Sequence, residues 1–209
     1  MVEVKVLLVG KHEKVPEGTY ANSTITLIRA GEKNILVDAG SFGDKENLIE
    51  SLGKEGLSPD DIHTVVVTHL HLDHTANLDL FRNADIVTKH SPVSSGLVFH
   101  GSNNIVSRVD VENLEIVPGV KTILTPGHVE AHISVVAVTS DGTYVICGDA
   151  IQKSNQIDIH VKPEKVWNLE AFENSRKLIL EVADYVVPGH GGVVQIKKKS
   201  NQSPKRNNL

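Results

Sequence analysis

Six residues, His69-Leu70-His71-Leu72-Asp73-His74, follow directly on the apolar run Thr64-Val65-Val66-Val67-Thr68. Three imidazoles and a carboxylate packed so closely would repel or desolvate one another without a partner, and all four are ligand types for divalent cations. A β-branched run bounded by polar residues reads as a buried strand. If the extended path continues past Thr68, His69 and His71 point to the same side. A turn after Leu72 then brings Asp73 and His74 round from another angle. The stretch therefore offers two ligands to one ion and two to a neighbour, and it needs further His or Asp from elsewhere to close either shell.

The search for those residues meets a regularity. Short apolar strands end repeatedly in turns of small residues carrying a ligand type: Leu36-Val37 leads to Asp38 and Gly40, and Ile123-Leu124 to Pro126-Gly127-His128. Val145-Ile146-Cys147 leads to Gly148-Asp149, and Val186-Val187 to Pro188-Gly189-His190. Strand ends hold donors on rigid supports, and glycines let backbone approach closely. The groups divide into two shells: His69, His71 and His128 for one ion, Asp73, His74 and His190 for the other, with Asp149 bridging them beside a water. Asp38 is then read as orienting a ligand imidazole from behind, and His132 as supporting the site.

Composition narrows the alternatives. A chain of 209 residues with 40% hydrophobic and 22% charged side chains suits one globular domain. No apolar stretch approaches the roughly 20 residues that span a bilayer, and the alternating start reads as a strand, not a secretion signal. The expected location is cytoplasmic, without a membrane. Cys147 is the sole cysteine, so metal binding rests on nitrogen and oxygen. The net charge is −5, but residues 197–209 carry +5 and leave −10 on residues 1–196. The ordered domain is placed at 1–196, and 197–209 is read as a basic, disordered tail. An acidic body disfavours nucleic acid as a partner and favours a small molecule; the tail keeps a phosphodiesterase or nuclease as the rival activity. The oligomeric state is left open, a homodimer among the options.

Along the chain, the patterns predict strands at Val4–Gly10 and Ser23–Arg29 with a connection over Val15–Asn22, and a strand at Ile35–Val37. A helix is expected between Asp44 and Lys54, and another from Ala76 to Phe81. Strands follow at Asp85–Thr88, Val111–Ile116, Val120–Leu124, Ile133–Thr139, Thr143–Cys147 and Ala183–Val187, with a helix over Leu169–Val182. Residues 90–108 lack periodicity and are assigned to substrate contacts. His12, His63, His90, His100 and His160 are read as surface or structural histidines, His160 with a potential view of substrate, and Trp167 as core.

The His69–His74 cluster, followed by His128, Asp149 and His190 in that order, resembles the metallo-β-lactamase superfamily. Val37-Asp38-Ala39-Gly40, Thr125-Pro126-Gly127-His128 and Pro188-Gly189-His190-Gly191 resemble its other motifs. The resemblance implies an α/β fold, a four-layer αββα sandwich of two mixed β-sheets with external helices and two divalent metal ions, zinc first and iron or manganese next, at one edge. It implies metal-assisted hydrolysis of an ester, thioester or lactone, with Asp73 orienting the nucleophile or passing a proton. Asp149 stands where the drug-hydrolysing members carry Cys, which argues against β-lactams, and His71 stands where redox di-iron members carry Glu. A non-catalytic, metal-stabilised binding protein is the remaining alternative.

Overall fold

The computed structural model describes residues 1–90, 96–158 and 166–196. Its strands are β1 (Val2–Leu8), β2 (Lys11–Val15), β3 (Gly18–Asn22), β4 (Ile25–Ala30), β5 (Lys33–Val37), β6 (Thr64–Val67), β7 (Asp85–Thr88), β8 (Gly96–His100), β9 (Ile105–Val109), β10 (Glu115–Val117), β11 (Val120–Leu124), β12 (Ile133–Thr139), β13 (Gly142–Ile146), β14 (Tyr185–Val187) and β15 (Val194–Gln195). The helices are α1 (Lys45–Lys54), α2 (Leu72–Thr75) and α3 (Leu169–Val182), and short 3₁₀ turns lie in the connections. One sheet has the order β1-β4-β5-β6-β7-β8-β9 and the other β10-β11-β12-β13-β14-β15. Both are mixed: β5-β6-β7 run parallel in the first, β13-β14 in the second, and the remaining pairs are antiparallel.

Three apolar layers explain the four structural ones. Strands buried on both faces read as continuous hydrophobic runs. In β4 to β6, Ile28, Ile35, Val37 and Val66 face the second sheet, where Val120, Ile133, Val135, Ile146 and Val187 meet them. Their neighbours Ile25, Leu27, Leu36, Val65 and Val67 face outward onto Leu48 and Leu52 of α1. On the far side Val136, Val145 and Val186 pack under Ile179 of α3. This is the αββα sandwich that the family resemblance implies.

Helix ends follow the local chemistry. Gly56 (φ +73°) closes α1, with Leu57 N–H bonding Leu52 O and Gly56 N–H bonding Gly53 O. That is a Schellman stop, and it places Gly53 inside the helix. Asn168 caps α3, its side chain accepting from Ala171 N at 3.0 Å.

Several expectations are corrected. The presumed connection over Val15–Asn22 is half of a hairpin, β2 with β3, whose strands are so exposed that they carry no alternation to read. The helix expected at Ala76–Phe81 shrinks to one 3₁₀ turn at Leu78–Leu80, and the helical residues precede it as α2. Asn77 explains this: its side-chain amide donates to Ala39 O and Ser41 O at 2.7 Å each, anchoring the chain where a helix would have to start. Strand Val111–Ile116 reduces to Glu115–Val117, and β15 follows the strand expected to be last. Most of the unreadable 90–108 segment forms the β8-β9 hairpin, which runs on to Val109; 91–95, His160 and 197–209 lie outside the described residues. Trp167 is 54% exposed, not core. The buried stripe of α3 is Phe172, Ser175, Arg176 and Ile179, while Leu178 and Val182 face outward.

Candidate metal centre

Strands β5, β6, β11, β13 and β14 all end at one edge of the sandwich, and the chain beyond each end supplies one part of the site. Hydrogen bonds stitch these ends together: Thr24 N–H to Gly189 O at 2.7 Å, Ile133 N–H to Thr68 O at 3.0 Å, and Ser23 N–H to Asp73 O at 3.0 Å. Gly189 is required by the closeness of the approach, because a Cβ there would stand 2.0 Å from Asp149 Oδ1.

Two donor groups result. His69, His71, His128 and Asp149 each present one atom within 4.8 Å of the others, and Asp73, His74 and His190 do the same. In the first, His69 Nε2 lies 2.9 Å from His71 Nδ1, His128 Nε2 lies 3.1 Å from His71 Nδ1, and Asp149 Oδ2 lies 3.2 Å from His128 Nε2. In the second, Asp149 Oδ1 lies 3.2 Å from His190 Nε2 and 3.4 Å from His74 Nε2. Asp73 Oδ2 completes that group at 3.8 and 3.9 Å from the same two nitrogens. Ligands about 2.0–2.1 Å from a tetrahedral ion stand about 3.3 Å apart, and the separations found, 2.9 to 3.9 Å, bracket that value. Asp149 turns one oxygen to each group.

The buried atoms aimed inward are orphaned: His74 Nε2, His190 Nε2 and Asp149 Oδ1 have no hydrogen-bond partner despite their proximity. Orphaned buried polar atoms are costly, and a shared cation satisfies all three. The residues fit divalent ions on this ground.

Most of the outward nitrogens are tied to acceptors, which fixes the rings. Asp38, buried and at φ +61°, accepts from Thr68 N (2.8 Å), Thr68 Oγ1 (2.9 Å) and His74 Nδ1 (2.7 Å). With its proton given to Asp38, Thr68 Oγ1 is left to accept from His69 Nδ1 at 3.1 Å. His190 Nδ1 donates to Asn22 O at 2.9 Å. Such contacts orient ligand imidazoles and raise their basicity.

Charge is distributed accordingly. Burial opposes a proton on His74, but the charges of Asp38 and Asp149 overcome it and hold the ring well above the ordinary imidazole value. His190 is likewise raised against burial by Asp149. Burial works against the charge of Asp149, and the neighbouring His190 and His74 outweigh it, holding the carboxyl well below its usual range. Burial first, then His74 and His132, push His69 well down, and burial also lowers His128. His132 is buried, stacked on His69 with centroids 5.0 Å apart, and bonded through Nδ1 to Thr125 Oγ1. Burial pushes it down to about 3, so it is neutral, and it belongs to neither donor group.

Solvent reaches the site past His71, which is exposed, and Asp73, which is partly so. His12, read as a surface or structural residue, is half-buried with its ring 5.3 Å from that of His190, carried there by β2. His63 and His100 lie in hydrogen bonds elsewhere, to Asn34 and to Asp85 and Ser107. Sequence reasoning missed Thr68, Asn22 and Gln152. Thr68 alone had a signal, its place between the apolar run and the first histidine.

Residues 18–190 match the family model described as the metallo-β-lactamase superfamily. Metallo-β-lactamase domain-containing protein 1 of Xenopus laevis is 34% identical over 202 residues, covering 93% of this chain and 82% of its own. A metallo-hydrolase of Methanocaldococcus jannaschii is 34% identical over 165 residues, 78% of this chain and 74% of its own. An N-acyl homoserine lactonase of Bacillus thuringiensis is 25% identical over 148 residues, 66% of this chain and 58% of its own. Among solved structures, a metallo-β-lactamase relative from Thermotoga maritima superposes with a TM-score of 0.72 at 26% identity, over 93% of this chain and 99% of that one.

Proposed function

The chain belongs to the metallo-β-lactamase superfamily and is a hydrolase of that superfamily, and from this premise we propose that its two donor groups hold a pair of divalent cations to cleave an ester, thioester or lactone. His69, His71 and His128 would hold one ion, Asp73, His74 and His190 the other, and Asp149 would bridge them. Zinc suits the nitrogen-rich set best, with iron and manganese next. The observation that carries the reading is Asp149, whose two oxygens each face a separate set of donors at 3.2 to 3.4 Å.

Ions bound there supply an acidified water and an electrophile for the substrate oxygen. The chain's own residues do the rest. Asp38, Thr68 and Asn22 hold the imidazoles so that their inner nitrogens stay aimed at the centre, which spares reorganisation during turnover. Asp73, partly exposed at the mouth, orients the nucleophile and carries its proton toward the leaving group. The neutral ring of His132 stacked behind His69 keeps water from that side. The preference for an acyl carbon–oxygen bond is supported by the homoserine lactonase among the relatives. The expected location remains cytoplasmic.

The test is a substrate screen with the zinc-loaded protein on lactones, thioesters, aryl esters and phosphodiesters, run beside Asp73→Asn. Acyl substrates turned over by the wild type, with kcat falling at least tenfold in the variant, support the assignment. Phosphodiester turnover alone makes the nuclease the correct reading, and no turnover of any class makes the protein a non-catalytic binder.

A further inference from the structure

Four imidazoles in the site aim Nε2 at the centre, and each needs its outer nitrogen, Nδ1, satisfied. Three have acceptors: Thr68 Oγ1 behind His69, Asp38 Oδ2 behind His74, and Asn22 O behind His190. His128 is the exception. Behind its Nδ1, at 3.3 Å, stands the side-chain nitrogen of Gln152, a donor, which also lies 3.3 Å from Asp149 Oδ2.

That arrangement is self-consistent only without a cation. His128 then carries its proton on Nε2, facing Asp149 Oδ2 at 3.2 Å, and Nδ1 accepts from Gln152. With a cation on Nε2 the proton moves to Nδ1, which becomes a donor and requires an acceptor. A glutamine amide supplies one by a half-turn about its last bond, which exchanges Nε2 for Oε1 at the same place. The turn gives up two long contacts: the one to Asp149, whose oxygen the cation then satisfies, and one of 3.5 Å from Gln156 Nε2.

Resting on the proposed metal centre, we infer that Gln152 is the positioning residue of the first cation's shell, turning its amide on loading to accept from His128 Nδ1–H. The backbone around it is built to stay still while the amide turns. Gln152 N–H donates to Gln156 Oε1 at 3.0 Å. The guanidinium of Arg176, 1% exposed on α3, donates to the carbonyls of Gln156 and Asp158 and so fastens this segment from beneath. The same helix fastens the turn carrying His128, with Ser175 Oγ donating to Pro126 O at 2.7 Å. One helix therefore fastens both the segment that follows Gln152 and the turn that carries His128.

The experiment is zinc titration of wild type, Gln152→Met and Gln152→Glu against a competing chelator, with nitrogen NMR of ¹⁵N-histidine-labelled protein before and after loading. Methionine fills the same space without polar atoms, and glutamate offers only acceptors. The expected results are a loss of affinity for one of the two ions of about tenfold to a hundredfold in Gln152→Met, and its recovery in Gln152→Glu. The His128 signal should change from the Nε2–H to the Nδ1–H form on loading, with an Nδ1 proton slow to exchange in the wild type and fast in Gln152→Met. If the wild type holds both zinc ions while Gln152→Met holds them equally well, or Gln152→Glu is no better than Gln152→Met, the role of Gln152 is overturned and the metal centre stands. A wild type that binds no zinc overturns both.

Discussion

Asp38→Ala is the substitution whose cost follows most directly from the site. The carboxylate is 1% exposed and accepts from Thr68 N, Thr68 Oγ1 and His74 Nδ1 at 2.7 to 2.9 Å. Alanine leaves all three buried donors without a partner, at about 1–3 kcal/mol each, or roughly 3–9 kcal/mol together. A domain has about 5–15 kcal/mol in all, so the alanine variant is expected to be mostly unfolded or nearly so. Asp38→Asn separates this from ligand orientation. It tolerates the left-handed backbone at φ +61° and keeps one oxygen for the Oδ2 side, so it should cost about 1–3 kcal/mol for the single mispaired Thr68 N–H. It also removes the charge that holds the His74 proton, so affinity for the ion bound there should fall about tenfold to a hundredfold. Urea denaturation of ion-free protein reads the first quantity, and chelator competition the second. An alanine variant that unfolds at the wild-type urea concentration would refute the reasoning, as would an asparagine variant with unchanged affinity.

Three further outcomes follow from the same geometry. Asp149→Ala removes an oxygen from both donor groups at once, so it should lose both ions where loss of a single-site ligand loses one; metal analysis after dialysis decides, and retention of one full equivalent contradicts the bridge. Gly189→Ala would put a methyl 2.0 Å from Asp149 Oδ1, so it should displace that carboxylate and abolish activity while leaving the secondary structure intact, as read by circular dichroism; wild-type turnover contradicts the packing. Because His74 and His190 are raised in the ion-free protein, loading at neutral pH should release protons and affinity should fall as pH falls. Calorimetry in buffers of different ionisation enthalpy checks this, and identical heats would count against it. In the ion-free protein those protons add stability below the unfolded imidazole value of about 6.5, and the contribution is lost as pH rises through the raised folded values; denaturation curves from pH 6 upward read the sign.

What could be read in the sequence was whatever depended on contiguity or on strand burial. His69 to His74 are neighbours in the chain, and Asp38, His128, Asp149 and His190 each follow an apolar strand, so burial pattern alone placed them at strand ends. The β2-β3 hairpin was illegible because both its faces are exposed and no apolar alternation is imposed on it. Leu78 to Leu80 had the spacing of a helix, but two hydrogen bonds from the Asn77 side chain decide that turn, and nothing in the spacing reports them. The burial of Arg176 has no signal in the helix pattern, because the carbonyls of Gln156 and Asp158 that it meets are brought against it only by the fold. The groups behind the imidazoles are partly backbone, as with Asn22 O. A carbonyl carries no sequence signature, so partners of this kind emerge only from the fold.

Whether two cations share Asp149 is decided by anomalous diffraction from zinc-soaked crystals. Two zinc peaks are expected about 3.5 to 4 Å apart, one within bonding distance of His69, His71 and His128 and the other of Asp73, His74 and His190, with Asp149 touching both. A single peak, or ions bound away from these residues, would contradict the shared carboxylate.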